Sequence, residues 1–531
     1  MSYILIILSA VLLNTANYFP ELFLLSWIGF IPLFYVFDNL SDSRKLNFSR
    51  RNKGYVSSFF SGNKFGIKRH KANEISTNKI NRYSNKNKFF LKGYIFGFFY
   101  TALSALFLHH PLQLHTDLSI VSIILILTAL FAAIAIIYAL FFSFYFSTFR
   151  NFNPYIFSLA WLILTFIRYK ALFFFPIGYL APAQAEFIHF IQLADLGGFW
   201  LLTFLIVLVN SLLYQIIFKK GKRRSALIWT VITAVIITSY GFYSLNKYGE
   251  NNDFETAEIG IISTDIAQED KWLFINIEEN IKLTLDSAEK LNGSEIIFSP
   301  ETNLTFDLIE EEGRSNEFLK KVERSFESPI QVGSLANRES VSSAKYNSSF
   351  LISERGKILN RYDKNRLVYF GEIYPLQELY NKLLPMNFNS LNSGERISIF
   401  SYENLSWKTM ICSEILYTDF VNQKIEQSDF LFNQSNEGWF RNSRLLNNMM
   451  WNNAVLRAVE TRRSLVKAGN QAYDGVIDLS GRYKKTAANS KYHSLEIRLN
   501  EETSLYSGLS EYIEIILAAL TLLSIAFIIY R

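Results

Sequence analysis

Apolar residues gather into long runs at 3–14, 20–38, 93–109, 118–148, 154–172, 195–218, 225–244 and 511–530. Runs of this kind with few charges predict about eight membrane-spanning helices, of which the first is short. From 246 to 506 the pattern changes. "AEIGIIST" (257–264) predicts a strand, and "IEENIKLTLDSAEKL" (277–291) a helix with its apolar stripe at helical spacing. "SEIIFSPE" (294–301) predicts a strand ending in Pro-Glu. "PIQVGSLA", "SSFLIS", "ISIFSY", "SWKTMIC", "DFLFNQS", "SLVKAGNQ", "DGVIDLS" and "YHSLEIRL" predict further strands; "EILYTDFVNQKI" and 442–460 predict helices. Buried strands alternating with helices indicate an α/β layered fold. The expected organisation is therefore seven transmembrane helices in 1–245, a soluble α/β domain in 246–506 and a C-terminal transmembrane helix in 507–531.

Charge orients these spans. Between Ser41 and Lys92 there are fourteen Lys/Arg and two acids, Asp42 and Glu74. A nucleic-acid surface is disfavoured there because both flanks are apolar spans; a cytoplasmic loop at 39–92 obeying the positive-inside rule is the simpler reading. Arg150, "KKGKRR" (219–224) and Arg531 follow spans four, six and eight, whereas "LHHPLQLHTDL" after span three has no Lys or Arg. Even-numbered spans then end in the cytoplasm, and span seven delivers 246–506 to the outer face. Met1–Asn14 has neither a basic n-region nor a small-residue cleavage site, so a cleaved signal peptide is not expected.

"FFFPIGYLAPAQAEFIHFIQLADLGGFW" (173–200) mixes Pro, Gly and polar residues into an apolar stretch. Irregular backbone at membrane depth requires protein or a wet cavity around it. Two readings stand open: a headgroup-sized lipid pocket, or an ordinary outer loop.

The chain has a single cysteine, Cys412, which excludes an intramolecular disulfide. A lone thiol is a buried filler or a nucleophile. Cys412 ends a predicted strand at a junction with a predicted helix, whose N-terminus would lower the thiol pKa and offer N–H groups to an oxyanion. Glu301 ends another strand, and "RYDKNRLVYFGEIYP" (361–375) between them holds Lys364 and Glu372. A carboxylate can take a thiol proton, a lysine can stabilise a tetrahedral oxyanion, and a cysteine can carry an acyl group as a thioester. No histidine lies near these motifs. Alone, each residue has a plainer reading: Glu301 a capping carboxylate, Lys364 a surface lysine, Glu372 a turn residue, Trp272 and Trp439 core aromatics.

Glu, Lys and Cys in that order, at "SPE", "YDK" and "ICSE", are similar to the nitrilase superfamily. "DKNRLVYFGEIYP", with "NQSNEGWF" (433–440), "RAVETRRSLVKAGN" (457–470) and "QLADLGGFWLLTFLIVLVN" (192–210), resembles the apolipoprotein N-acyltransferases over essentially the whole chain. The resemblance implies an αββα sandwich with Glu301 as general base, Lys364 as oxyanion-stabilising cation and Cys412 as nucleophile. It implies that Glu372 holds Lys364 and the attacking amine, that Glu414 supports the nucleophile, and that Trp272, Trp439, Phe440 and Ser413 meet substrate. The implied reaction moves an acyl chain from a membrane phospholipid to the α-amine of a lipid-modified N-terminal cysteine of a lipoprotein. No cofactor, metal or nucleic acid is called for; a monomer in the bacterial inner membrane, its soluble domain facing the periplasm, is expected. The sequence departs from the family pattern at Ser413, where a tyrosine is usual, at Tyr369, where a proline is usual, in a longer turn at "GNQAYDGV", and in the length of the basic loop. That loop could bind anionic lipid or be merely solvated. The rival readings are a membrane-tethered amidase for a small soluble C–N substrate and a non-catalytic membrane receptor. A transporter is disfavoured by the lack of repeats and of ionisable residues in the spans.

Overall fold

The β-branched and aromatic runs of 246–506 pair into two six-stranded sheets. The computed structural model describes residues 1–40, 67–149, 152–171, 176–249, 252–338, 341–375, 377–378, 389–397, 399–486 and 490–530. One sheet has the order β12-β1-β2-β3-β4-β5, with β1 Thr256–Ile262, β2 Ile296–Phe298, β3 Ile330–Arg338, β4 Val341–Ile352, β5 Ile358–Asp363 and β12 Tyr492–Arg498. The other has the order β11-β10-β9-β8-β7-β6, with β6 Ile399–Tyr402, β7 Leu405–Ile411, β8 Phe430–Asn436, β9 Ser464–Asn470, β10 Gly475–Ile477 and β11 Tyr483–Lys485. Strands β1, β2 and β3 run parallel, as do β7, β8 and β9; the flanking strands are antiparallel.

Alternation along each strand sends one face to helices and the other to the opposite sheet. Ile297, Val332, Phe350 and Ile352 pack with Ile281, Phe318 and Val322 of the helices Ile277–Glu289 and Glu312–Ser325. Phe298 faces the other way and meets Phe432 at 4.1 Å and Trp407 at 5.8 Å between ring centroids. Gln331 crosses between the sheets, donating to Thr409 Oγ1 and accepting from Trp407 Nε1. The second sheet is covered by the helix Arg444–Thr461. The layering is the expected αββα sandwich.

Two compact units divide the chain: residues 1–109, 118–165 and 203–236, and residues 110–117, 166–202 and 237–531. Among the described residues six helices are long and apolar enough to cross a membrane: Pro20–Leu40, Lys86–Leu114, Ile120–Thr148, Ala194–Phe218, Lys220–Tyr248 and Leu505–Phe527. The apolar runs at 3–14 and 154–172 form the helices Ser2–Tyr18 and Pro154–Lys170, 17 residues each and at the short limit for a span. In the first unit Gly93 and Gly97 let one helix lie directly on another. A Cβ at Gly97 would come within 2.7 Å of Tyr138. Trp161 packs among Phe30, Phe96 and Phe157, and Asn210 satisfies Ser26 O and the Phe30 N–H.

Of the basic segment 39–92, residues 41–66 lie outside the described residues, and from Ile67 the chain is helical to Ala105. Of the two readings of 173–200, an exposed outer loop is excluded for 176–200, which is largely buried. It packs within the second unit against the sandwich, where buried Arg462 donates to Asp195, Gln192 and Ser244. At Gly197 and Gly198 the helix Ala194–Phe218 breaks; Gly198 has φ +61° and ψ −165°, a region open essentially to glycine alone. The Phe199 N–H freed by the break donates to Glu460 Oε1 at 2.6 Å.

Candidate active site

Strand ends bring the reactive residues together. Glu301 follows β2 in the turn Ser299–Pro300–Glu301, which lies so close to β3 that a Cβ at Gly333 would come within 2.6 Å of the Thr302 nitrogen. Gln434 Nε2 donates to Ser299 O, and the Glu301 N–H donates to Ser435 O, tying this turn to the end of β8 in the other sheet. Lys364 directly follows β5. Cys412 directly follows β7.

Lys364 is 1% exposed. Its ammonium donates to Glu372 Oε1 at 2.9 Å, with Glu372 Oε2 at 2.8 Å and Glu301 Oε1 at 3.6 Å. Glu372 Oε2 also accepts from the Val368 N–H, which fixes the carboxylate on the lysine loop. Asn347 of β4 joins the two acids: its Nδ2 donates to Glu301 Oε1 at 2.7 Å and to Glu372 Oε1 at 2.9 Å. Glu301 Oε2 is buried and, among the described residues, has no hydrogen-bond partner. A buried carboxylate oxygen left without a partner is costly, and such exceptions mark places where a further group is to be met.

Cys412 is half-buried and has φ +52°. Thr302 and Phe370, beside Glu301 and Glu372 in the chain, are also at positive φ. Non-glycine residues in this region cost about 1–3 kcal/mol each and cluster where function requires them. The strained turn at Cys412 is held by Glu414, which is fully buried. Glu414 Oε2 accepts from the Ile411 N–H; Oε1 accepts from Tyr362 Oη and from the N–H groups of Asn365 and Arg366. One carboxylate thus fixes the residue before the thiol and the residues after Lys364. Lys408 secures the segment beyond, donating to Phe420 O, Val421 O and Gln423 O. Arg366 pairs with Asp419, which also accepts from Tyr169 Oη and pairs with Lys170.

The helix expected over 414–425 is not continuous. A 3₁₀ turn covers Cys412–Leu416, Tyr417 is extended, and a helix of five residues covers Thr418–Asn422. The helix dipole therefore does not lower the thiol pKa as expected. Burial and the neighbouring Glu301 carboxylate push the Cys412 thiol well above its ordinary value, against the pull of Lys364. Burial raises the Glu301 pKa, while Lys364 and Asn347 oppose the rise and Glu372 adds to it. Burial by itself would pull Lys364 down, but the Glu372 and Glu301 carboxylates hold it above the ordinary lysine value. The resting cluster is a neutral thiol, an ammonium clamped by one carboxylate, and a second carboxylate of raised pKa. A carboxylate beside a neutral thiol can act as a base as the sulfur attacks, and the fixed cation stands ready for negative charge that develops.

Ser413 is buried in the same turn. Trp439 and Phe440 lie half-buried in the turn Glu437–Phe440 after β8, at the same sheet end as Cys412. Trp272 is partly exposed, and Leu273, Phe274 and Ile275 after it are exposed. The sequence reading missed Asn347, Tyr362, Lys408 and Lys271. Only Lys408, a lysine within the strand "LSWKTMI", carried a signal; the other three stand among polar neighbours.

Sheets, strand-end residues and membrane helices together define a nitrilase-superfamily domain carried in one chain with a polytopic membrane bundle. Residues 77–212 match the apolipoprotein N-acyltransferase N-terminal domain, and residues 266–471 match the carbon-nitrogen hydrolase family. The apolipoprotein N-acyltransferase of Geobacter metallireducens is 28% identical over 66% of this chain and 69% of its own length. That of Aquifex aeolicus is 28% identical over 75% of this chain and 88% of its own. A solved amidase from Nesterenkonia sp. aligns with 94% of its length on 48% of this chain, at 12% identity and a TM-score of 0.35. In both its membrane part and its soluble domain the chain is similar to the apolipoprotein N-acyltransferases.

Proposed function

We propose that the protein transfers an acyl chain from a membrane phospholipid, through a thioester on Cys412, to the α-amine of the lipid-modified N-terminal cysteine of lipoproteins. Glu301 takes the thiol proton as Cys412 Sγ attacks the ester carbonyl carbon. Lys364, clamped by Glu372, stabilises the tetrahedral oxyanion together with a backbone N–H. The intermediate collapses, the C–O bond breaks, and the lysophospholipid alkoxide leaves with the proton held by Glu301. The acceptor amine then attacks the thioester and gives its proton to Glu301. The C–S bond breaks, and the departing sulfur recovers the proton.

The single observation that carries this reading is the Glu301–Asn347–Glu372–Lys364 cluster beside a strained, half-buried Cys412, in a chain that matches both domains of the family. Trp272, Trp439, Phe440 and Ser413 are proposed to line the substrate path. The basic runs at 39–92 and 219–224 support a multi-pass inner-membrane protein whose sandwich faces the periplasm. The amidase alternative is not favoured by the relatives' activities.

The test is transfer by the full-length protein in detergent, from labelled phospholipid to a lipid-modified cysteinyl peptide. Product with lipid substrates and no turnover of soluble amides is expected; the reverse pattern would contradict the proposal. In folded, membrane-inserted Cys412→Ala, neither labelled thioester nor product should form.

A further inference from the structure

A second buried lysine stands beside the cluster. Lys271, in the short helix Gln268–Lys271, is 1% exposed, and lysine is almost never so buried unless paired. Among the described residues its ammonium makes one hydrogen bond, to the backbone O of Glu301 at 3.0 Å. Asn280 Nδ2 donates to Lys271 O, fixing the backbone from which the side chain reaches. Without Lys271 the buried cluster holds two carboxylates, Glu301 and Glu372, and one ammonium, Lys364, which is already clamped by Glu372. That arrangement has an excess negative charge, and like charges in a buried site favour protonation of one partner. With Lys271 the cluster is balanced.

We propose that Lys271 is a positioning residue for the proposed reaction: its buried ammonium, held on the Glu301 backbone, balances the carboxylate cluster and keeps Glu301 ionised to take the Cys412 proton. This rests on the reading of Glu301 as base. Glu301 faces Lys271 from the short helix, Lys364 and Glu372 from the loop after β5, Asn347 from β4 and Cys412 from the end of β7; Cys412 also faces Glu437, itself paired with Lys467. Glu437 is paired with Lys467 and Glu372 with Lys364; Lys271 reaches Glu301 at its backbone O, 3.0 Å away, and adds a second positive charge beside a carboxylate that stands 3.6 Å from Lys364. Burial lowers the Lys271 pKa to about 7 and Glu301 opposes the fall, so the lysine carries its charge on the acid side of neutrality, where the ionisation of Glu301 is decided.

The experiment is the pH dependence of single-turnover thioester formation from phospholipid, read by intact mass on full-length protein. It compares wild type, Lys271→Met, Lys271→Gln and Lys271→Arg. Loss of the positive charge raises the Glu301 pKa, so the acid limb of both neutral variants should move up by about one to three pH units. Above that limb their rates should approach wild type, and Lys271→Arg should keep the wild-type midpoint. A purely structural lysine would lower the rate equally at every pH. Folded neutral variants with an unmoved midpoint would overturn this proposal alone, as would failure of both to fold. Absence of a thioester in wild type at any pH would overturn it together with the function on which it rests.

Discussion

Cys412 spends conformational energy to present its sulfur, and the residues around it explain how that strain is held. Glu414 accepts four hydrogen bonds, from the strand end before the thiol and from Tyr362, Asn365 and Arg366 around Lys364. Asn347 bonds both acids and was not legible in the sequence: a single Asn within "KYNSSFLI" reads as a solvent-facing strand position. Hydrogen bonds to charged groups contribute about 1.5–3 kcal/mol each. Asn347→Ala should therefore slow thioester formation by roughly tenfold to a thousandfold with little change in phospholipid affinity; a variant as fast as wild type would remove Asn347 from the account. Titration gives a second test. Glu301 must be ionised to accept the thiol proton, and its pKa is raised chiefly by burial. The rate should fall as pH drops through a midpoint above the ordinary carboxylate value. Lys364, held above its usual value, should add no alkaline limb from neutrality to mild base. A midpoint at or below the ordinary carboxylate range would contradict this assignment.

Elements were legible where one physical requirement dominated. β1, β7, β8 and β9 are largely buried inner strands, and short apolar stretches such as "IGII" and "FLF" announced them, although Lys408, Asn433 and Lys467 stand inside them. The helix Ile277–Glu289 had a clear apolar stripe. The stretch after Cys412 misled because "EILYTDFVNQKI" has helical spacing, yet Glu414 is consumed in fixing the turn at Cys412 and Lys408 captures the next carbonyls. Glu414's partners Tyr362, Asn365 and Arg366 are distant in sequence and Lys408 stands on the preceding strand, so local periodicity could not reveal either constraint. The helix break at "LGGF" was visible as a pair of glycines, but its cause was not: Glu460 receives the freed Phe199 N–H. A Cβ at Gly198 would meet the Tyr506 ring at 2.3 Å as well as a forbidden backbone region. Gly198→Ala should lower stability by more than about 1–2 kcal/mol, read as thermal unfolding in detergent. Gly221→Ala, in open space, should be close to neutral. An unchanged melting temperature in Gly198→Ala would mean that the break is not required.

At the scale of the molecule, the two sheets repeat one plan: three parallel strands, one antiparallel strand on one edge and two on the other. The proposed base and nucleophile leave the carboxyl ends of parallel strands in opposite sheets, β2 and β7, where α/β folds place their chemistry. Glu301 and Cys412 were legible because each terminates an apolar stretch, and Lys364 from its place in "YDK" between them. The membrane helices were legible from length and hydropathy alone. The docking of 176–200 onto the sandwich was not, since Arg462, Asp195 and Gln192 meet only after folding. The exposed Trp272–Ile275 run beside Lys271 fits a substrate that is itself apolar. The most direct measurement is the intact mass of the purified protein after incubation with phospholipid, before and after neutral hydroxylamine. The account predicts one acyl mass added at Cys412 and removed by hydroxylamine. Folded protein that acquires no hydroxylamine-labile acyl group would contradict it.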